Sequence, residues 1–212
     1  MTGSGVIDAG VAGAAGRRGP GRPRREGVDE RLIAAALELI DAGLPVTAAQ
    51  LVARSGVGRA AIYRRWPSLT ELVATALDEG RSTHAIPTDG DLRQALYDSF
   101  IGTVERGPAG YPEQRMRRRL ILGLEDRHLQ RAYWEAHVVR RRVSTIAALR
   151  AGVERGILRG DLDLEACADL LSGVFYYQLV VRGAPLTEPE AIARCRAAID
   201  VIWRGMLPDG AA

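Results

Sequence analysis

An all-α fold is predicted, on three observations. Apolar residues recur at helical spacing in almost every segment after residue 28. Helix-start signals follow one another closely: Thr47 with Gln50, then Gly58, then Ser68 with Glu71. No run alternates in the period-two manner of a half-buried strand, and no internal repeat is visible.

The elements follow in order. Residues 1–27 are rich in Gly, Ala, Arg and Pro and poor in large apolar side chains. They cannot bury enough surface to offset chain entropy, so a disordered basic tail is expected. From Asp29 a helix begins, with Leu32, Ile33, Leu37 and Ile40 on one face and Gly43 at its end. Thr47 and Gln50 form a capping box, with Val46 and Leu51 as the hydrophobic staple around it. The glycine turn Gly56-Val57-Gly58 leads into a short helix expected over Arg59–Trp66, with Gly58 at its N-cap. Ser68 and Glu71 open the next helix, whose inward residues are Leu72, Val73, Ala76 and Leu77. Residues 28–83 therefore read as a first folded unit and 84–212 as a second. In the second, helices are expected over Asp91–Glu105, Gln114–Leu124 and Asp126 to about Gly156. Two more carry near-heptad stripes: Cys167, Leu171, Val174, Gln178, Val181, and Ile192, Cys195, Ile199, Ile202, Met206.

Composition bounds the function. The 212 residues carry a net charge of +3, which permits an acidic partner without demanding one. Every side-chain cation other than histidine is an arginine, and the chain contains neither lysine nor asparagine. That bias fits a GC-rich coding sequence, so the placement of arginines carries information and their number does not. Cys167 and Cys195 stand alone in apolar contexts, as buried thiols of a reducing compartment would. Neither a signal peptide nor an apolar run of about 20 residues is found, so a cytoplasmic protein without a membrane span is expected. No cluster of ligands suggests a metal, and no motif suggests a cofactor.

The segment Arg59–Trp66 is the most informative. On a helix, Ile62 and Trp66 fall together and face inward. Ala60, Ala61 and Arg64 face outward, with Arg59, Tyr63 and Arg65 on the flanks. Small outward residues let a helix enter a major groove about 12 Å wide, and a central arginine can reach base edges. A tyrosine hydroxyl and a flanking arginine can bond phosphates. Behind a capped helix and a short glycine turn, this pattern points to double-stranded DNA. Arg22, in the extended Gly21-Arg22-Pro23, is a candidate for the minor groove.

The stretch LIAAALELIDAGLPVTAAQLVARSGVGRAAIYRRWPSLTELV resembles the N-terminal domain of TetR/AcrR-type transcriptional regulators. Thr47, Gly56, Val57, Ile62, Tyr63, Arg65, Trp66 and Ser68 occupy the places of the family signature. Gly58 stands where a serine or threonine cap is common, Ser55 where alanine is frequent, and Leu69 where lysine is frequent. The resemblance implies about nine helices, a homodimer, a ligand pocket in the C-terminal unit, and a repressor released from a palindromic operator. On that basis the DNA-contact candidates are Thr47, Arg59, Ala60, Ala61, Tyr63, Arg64, Arg65 and Arg22. The ligand candidates are Leu96, Phe100, Met116, Leu120, Trp134, His137, Tyr176 and Tyr177. Because arginine is sparse among these, a mostly apolar small molecule is expected. The dimer candidates are Leu171, Val174, Gln178, Ile192, Cys195, Ile199, Ile202 and Met206, making a four-helix bundle from the last two helices of each subunit.

Two other functional classes fit the sequence less well. Catalysis has little support, because the three histidines are scattered and Gly56-Val57-Gly58 lacks the strand and third glycine of a phosphate cradle. A dimeric DNA-binding protein with no small-molecule effector remains the alternative. The runs Arg117–Arg119 and Arg140–Arg142 spread around a helix circumference, as solvated or salt-bridged residues do.

Overall fold

The computed structural model describes residues 27–81, 85–105 and 111–210. Arg22 and the rest of the basic tail lie outside these residues. Every regular element among the described residues is a helix: α1 Val28–Asp41, α2 Ala48–Ser55, α3 Arg59–Tyr63, α4 Leu69–Asp78, α5 Leu92–Glu105, α6 Glu113–Glu125, α7 Arg127–Tyr133, α8 Val139–Glu154, α9 Leu164–Tyr176 and α10 Pro189–Met206. A π turn, Trp134–Val138, joins α7 to α8 without a break, so the described chain forms nine helical rods. A second π turn, Tyr177–Val181, extends α9.

The local signals work as the sequence predicts. The Thr47 hydroxyl accepts from the Gln50 backbone N–H at 3.3 Å, and the Ser68 hydroxyl accepts from that of Glu71 at 3.2 Å. Gly56 ends α2 in the left-handed region at φ 66°, where a side chain would be strained. Gly58 caps α3 without a side-chain bond. α3 is shorter than the expected Arg59–Trp66. Its last turn tightens, with the Arg65 and Trp66 N–H groups both bonding the Ile62 carbonyl at 3.0 Å. Pro67 then stops the helix because it has no N–H to donate.

Two hydrophobic cores form. The first gathers Leu32, Leu39, Leu51, Ile62, Leu72 and Leu77 from α1–α4, and it also takes Leu129 and Tyr133 from α7. The second gathers Leu92, Leu96, Ile101, Leu149, Leu158 and Leu171 from α5, α8, α9 and the loop after α8, together with Cys195 and Ile199 from α10. Both cysteines are buried and free, and burial raises both thiols above their ordinary range.

The dimer stripe requires correction. Leu171, Gln178, Cys195, Ile199 and Met206 are buried within the single chain, and Val174, Ile192 and Ile202 pack partly against the same core. Spacing identifies an apolar stripe but not what it faces; apart from the exposed Val181, this one faces the subunit's own interior. The outward face of α9 and its π turn presents Leu170, Gly173, Tyr177, Val180 and Val181 instead. That of α10 presents Ala193, Ala197, Val201 and Gly205 at intervals of four. Leu164–Val181, at mean hydropathy 1.2, is long and apolar enough by composition to cross a membrane. In the fold its apolar residues divide between the core and this outward face.

Candidate nucleic-acid interface and the buried polar junction

The second and third helices of the first unit are held by contacts on their inner sides. Ile62 is fully buried, and the Trp66 indole N–H donates to the Thr75 hydroxyl of α4 at 3.2 Å. Within the turn, the Ser55 hydroxyl donates to the Leu51 carbonyl at 2.6 Å and accepts from the Val57 N–H at 3.1 Å. The serine that departs from the family pattern therefore ties the turn together. The Thr75 contact depends on how α4 folds back on α3, whereas the Ser55 bonds are local, to residues four before and two after it.

With the inner side fixed, the outer side presents Arg59, Ala60, Tyr63 and Arg64 to solvent, and Tyr63 keeps 45% of its surface exposed. Thr47 is exposed at the start of α2, its hydroxyl held by the cap. Ala61 is half-buried against the first core. Arg65 lies elsewhere than expected. Its guanidinium pairs with Asp29 of α1 and donates to the Ala61 carbonyl at 3.2 Å. Asp29 lies in the first turn of α1, so the arginine clamps α1 to the end of α3 instead of standing free on a flank. Thus four side chains of α3 and its C-cap converge on one solvent face, and Arg65 is turned away from it.

At the other end of the first unit, a buried polar junction links the two cores. Asp78, the last residue of α4, is buried. It accepts from the Tyr133 hydroxyl at 3.0 Å, pairs with Arg141, and lies 3.0 Å from His137 Nδ1 and 3.7 Å from Arg140. Burial alone would raise its carboxyl, but His137 and Arg141 outweigh that and hold it at about 2. The Tyr133 hydroxyl also accepts from Arg141 at 3.0 Å and Arg81 at 3.4 Å. Arg119 lies over the Tyr133 ring at 4.8 Å and donates to the Tyr176 hydroxyl at 3.3 Å. Arg81 lies over the Tyr111 ring at 5.1 Å, and Tyr111 donates to the Leu77 carbonyl at 2.8 Å.

Of the ligand candidates, His137 and Tyr176 belong to this junction. Phe100 stacks on Phe175 at 6.1 Å, and Met116 and Leu120 are half-buried on α6. Leu96 is core. Trp134 and Tyr177 project outward, 45% and 50% exposed, beneath the guanidiniums of Arg142 and Arg182. Each is the first residue of a π turn. Two surface hollows, of about 220 and about 450 Å³, lie beside α6 and involve none of the eight. Arg81, Tyr111, Arg119 and Tyr133 are not among the ligand candidates the sequence offers, and Arg119, expected on a solvated or salt-bridged face, is buried.

Comparison with known proteins agrees with this architecture. Residues 32–76 match the family model of bacterial regulatory proteins of the tetR family, and residues 86–198 match a tetracyclin repressor-like C-terminal domain. The chain is 28% identical to the HTH-type transcriptional regulator YdeS of Bacillus subtilis (strain 168) over 176 residues, covering 77% of this chain and 83% of that one. It is 36% identical over 78 residues to the HTH-type transcriptional regulator Rv2250c of Mycobacterium tuberculosis (strain ATCC 25618 / H37Rv), covering 35% and 41% of the two chains. Among solved structures, the TetR family transcription regulator SCO0332 aligns at TM-score 0.58 and 26% identity, over 86% of this chain and all of that one. A TetR transcriptional regulator from Agrobacterium tumefaciens shares the fold at TM-score 0.60 and 18% identity, over 87% and 96%. Two matched domains that together span most of the chain, on a helix-turn-helix with an exposed arginine-bearing face, make this protein a DNA-binding transcriptional regulator of the TetR family.

Proposed function

We propose that the protein is a cytoplasmic, homodimeric repressor that binds a palindromic operator and leaves it when a small molecule with an apolar body occupies the C-terminal unit. The observation that carries the DNA reading is the exposed set Arg59, Ala60, Tyr63 and Arg64, on a helix anchored behind by Ile62 and Trp66. Arg64 and Arg59 are the candidates for base edges, and Tyr63 and Thr47 for phosphates. Ala60 gives the close approach, and Ala61 contributes its partly exposed methyl. The basic tail, Arg22 included, would add minor-groove contacts.

The dimer reading now rests on the outward stripe of α9 and α10. Its small residues, Gly173, Ala193, Ala197 and Gly205, allow close helix approach, and Leu170, Val181 and Val201 supply apolar surface to bury. Two recognition helices related by a dimer axis would read two half-sites.

Ligand control is supported by the junction around Asp78, where α4 of the DNA-binding unit is bonded to α7 and α8 of the second. A ligand that prefers one arrangement of these helices shifts operator affinity by its differential affinity, and DNA weakens the ligand equally. The test selects binding oligonucleotides with the purified dimer, then screens compounds by thermal shift and operator release. A palindromic consensus and a releasing compound are expected. Tight binders that leave operator affinity unchanged would favour the effector-free alternative.

A further inference from the structure

The arginines of the junction outnumber their carboxylates. Arg119 is only 9% exposed, and its Nε has no hydrogen-bond partner. Among the described residues its contacts are the Tyr176 hydroxyl and the face of the Tyr133 ring, neither of them a carboxylate. Arg81 likewise meets the Tyr133 hydroxyl and the Tyr111 ring. Asp78 is the carboxylate at this junction among the described residues, and Arg141, His137 and Tyr133 already surround it. A buried cation held only by neutral groups is costly, because it has lost its hydration without gaining a counter-charge. The excess positive field registers on Tyr176. Burial would raise its hydroxyl, yet Arg119, Arg81 and Arg141 bring it below the ordinary tyrosine value.

We propose that Arg119 and Arg81 form the binding site for an oxyanion, a carboxylate or phosphate, carried by a small effector with an apolar body. This rests on the ligand-control reading above and names the chemistry of that ligand. The Tyr176 hydroxyl holds the place that a ligand oxygen takes, and the unpaired Nε of Arg119 supplies a second donor for a bidentate contact. Met116 and Leu120, together on one flank of Arg119 in α6, are half-buried and offer apolar surface to the body. Both arginines touch Tyr133, which bonds Asp78 at the end of α4. An anion that draws them away therefore loosens the link between the two units.

The experiment uses the full chain at constant ionic strength, with hexanoate, benzoate, hexyl phosphate and inorganic phosphate as anionic probes and hexanamide and benzamide as neutral counterparts. Thermal shift and calorimetric titration are expected to detect the organic anions and not the amides. Arg119→Met should weaken anion binding at least tenfold, and Arg119→Lys should weaken it less. Hexanoate against hexyl phosphate identifies the preferred head group. Because the empty site is uncompensated, unliganded Arg119→Met should melt at or above the wild-type temperature. Amides that bind as well as the anions, an Arg119→Met affinity within twofold of wild type, no binding by any anion, or a marked loss of melting temperature in empty Arg119→Met would each overturn the proposal. Operator release separates the two readings. Anion binding through Arg119 without release keeps the oxyanion site and removes ligand control, whereas release by neutral compounds alone does the reverse.

Discussion

The Tyr133 hydroxyl donates a 3.0 Å hydrogen bond to the Asp78 carboxylate, so the last residue of α4 is fastened directly to α7. Asp78 titrates at about 2 against an ordinary 3.8. A carboxyl whose folded value is depressed stabilises the fold above its unfolded value, and that contribution is lost as pH falls through the folded one. At neutral pH it amounts to about 2 kcal/mol. Urea unfolding of wild type and Asp78→Asn should therefore differ by about that amount at pH 7 and converge as pH falls from about 4 to 2. A gap that stays constant over this window would show that Asp78 is not the titrating group.

The exposed and the clamped arginines of the third helix should behave differently. Arg64→Ala is expected to cost about 1–3 kcal/mol on the preferred operator while weak non-specific binding survives. Arg65→Ala removes the partner of Asp29, a partly exposed pair whose loss lowers stability by under about 1 kcal/mol. Its salt dependence of DNA binding should match wild type. A slope flattened by about one unit in Arg65→Ala would mean that the arginine leaves Asp29 for a phosphate on binding.

For assembly, substitutions on the two faces of the last helices are informative as a set. Leu170→Glu and Val201→Glu, at positions 58% and 62% exposed, should give folded monomers by light scattering with unchanged helicity. Ile199→Glu, on the buried face, should unfold the C-terminal unit, since it places an unpaired charge in the core. Dimers that survive both outward substitutions would move the interface elsewhere.

Gly152 supplies a packing test. A Cβ there would collide with Leu92 Cδ2 and come within 2.8 Å of Leu158 Cδ1, where α8 crosses α5. Gly152→Ala gains helix propensity but must displace both leucines, with an expected net loss of about 1–3 kcal/mol in chemical denaturation. A stabilised variant would mean that the leucines repack freely.

Much of this was legible in the sequence where the cause is local. Thr47, Gly56, Gly58 and Ser68 act within three or four residues of themselves, so their spacing was sufficient to place α2, α3 and α4. Cys195 and Ile199 illustrate the limit. Their periodicity marks an apolar stripe equally well whether it faces a partner or the subunit's own core, and the choice depends on which helices close over it. The junction is less legible still. Asp78, Arg119 and Tyr133 lie on three helices, and a polar residue carries no helical phase signal until a neighbour arrives to bury it. The same applies to Arg65, whose partner Asp29 is 36 residues away.

The π turn at Trp134–Val138 has a consequence for the register of the long α7–α8 rod. Its closing bond runs from the Val139 N–H back five residues to the Trp134 carbonyl. Tyr133 and Arg141, eight residues apart, both reach Asp78. In a regular helix eight residues overshoot two turns by about 80°, which would swing one of them aside. The wide turn carries one surplus residue and takes up most of that angle, and it sets His137 beside the same carboxylate. A local irregularity thus acts as a phase adjuster: three side chains from successive turns align on a single oxygen pair, while the helix on either side keeps its ordinary pitch.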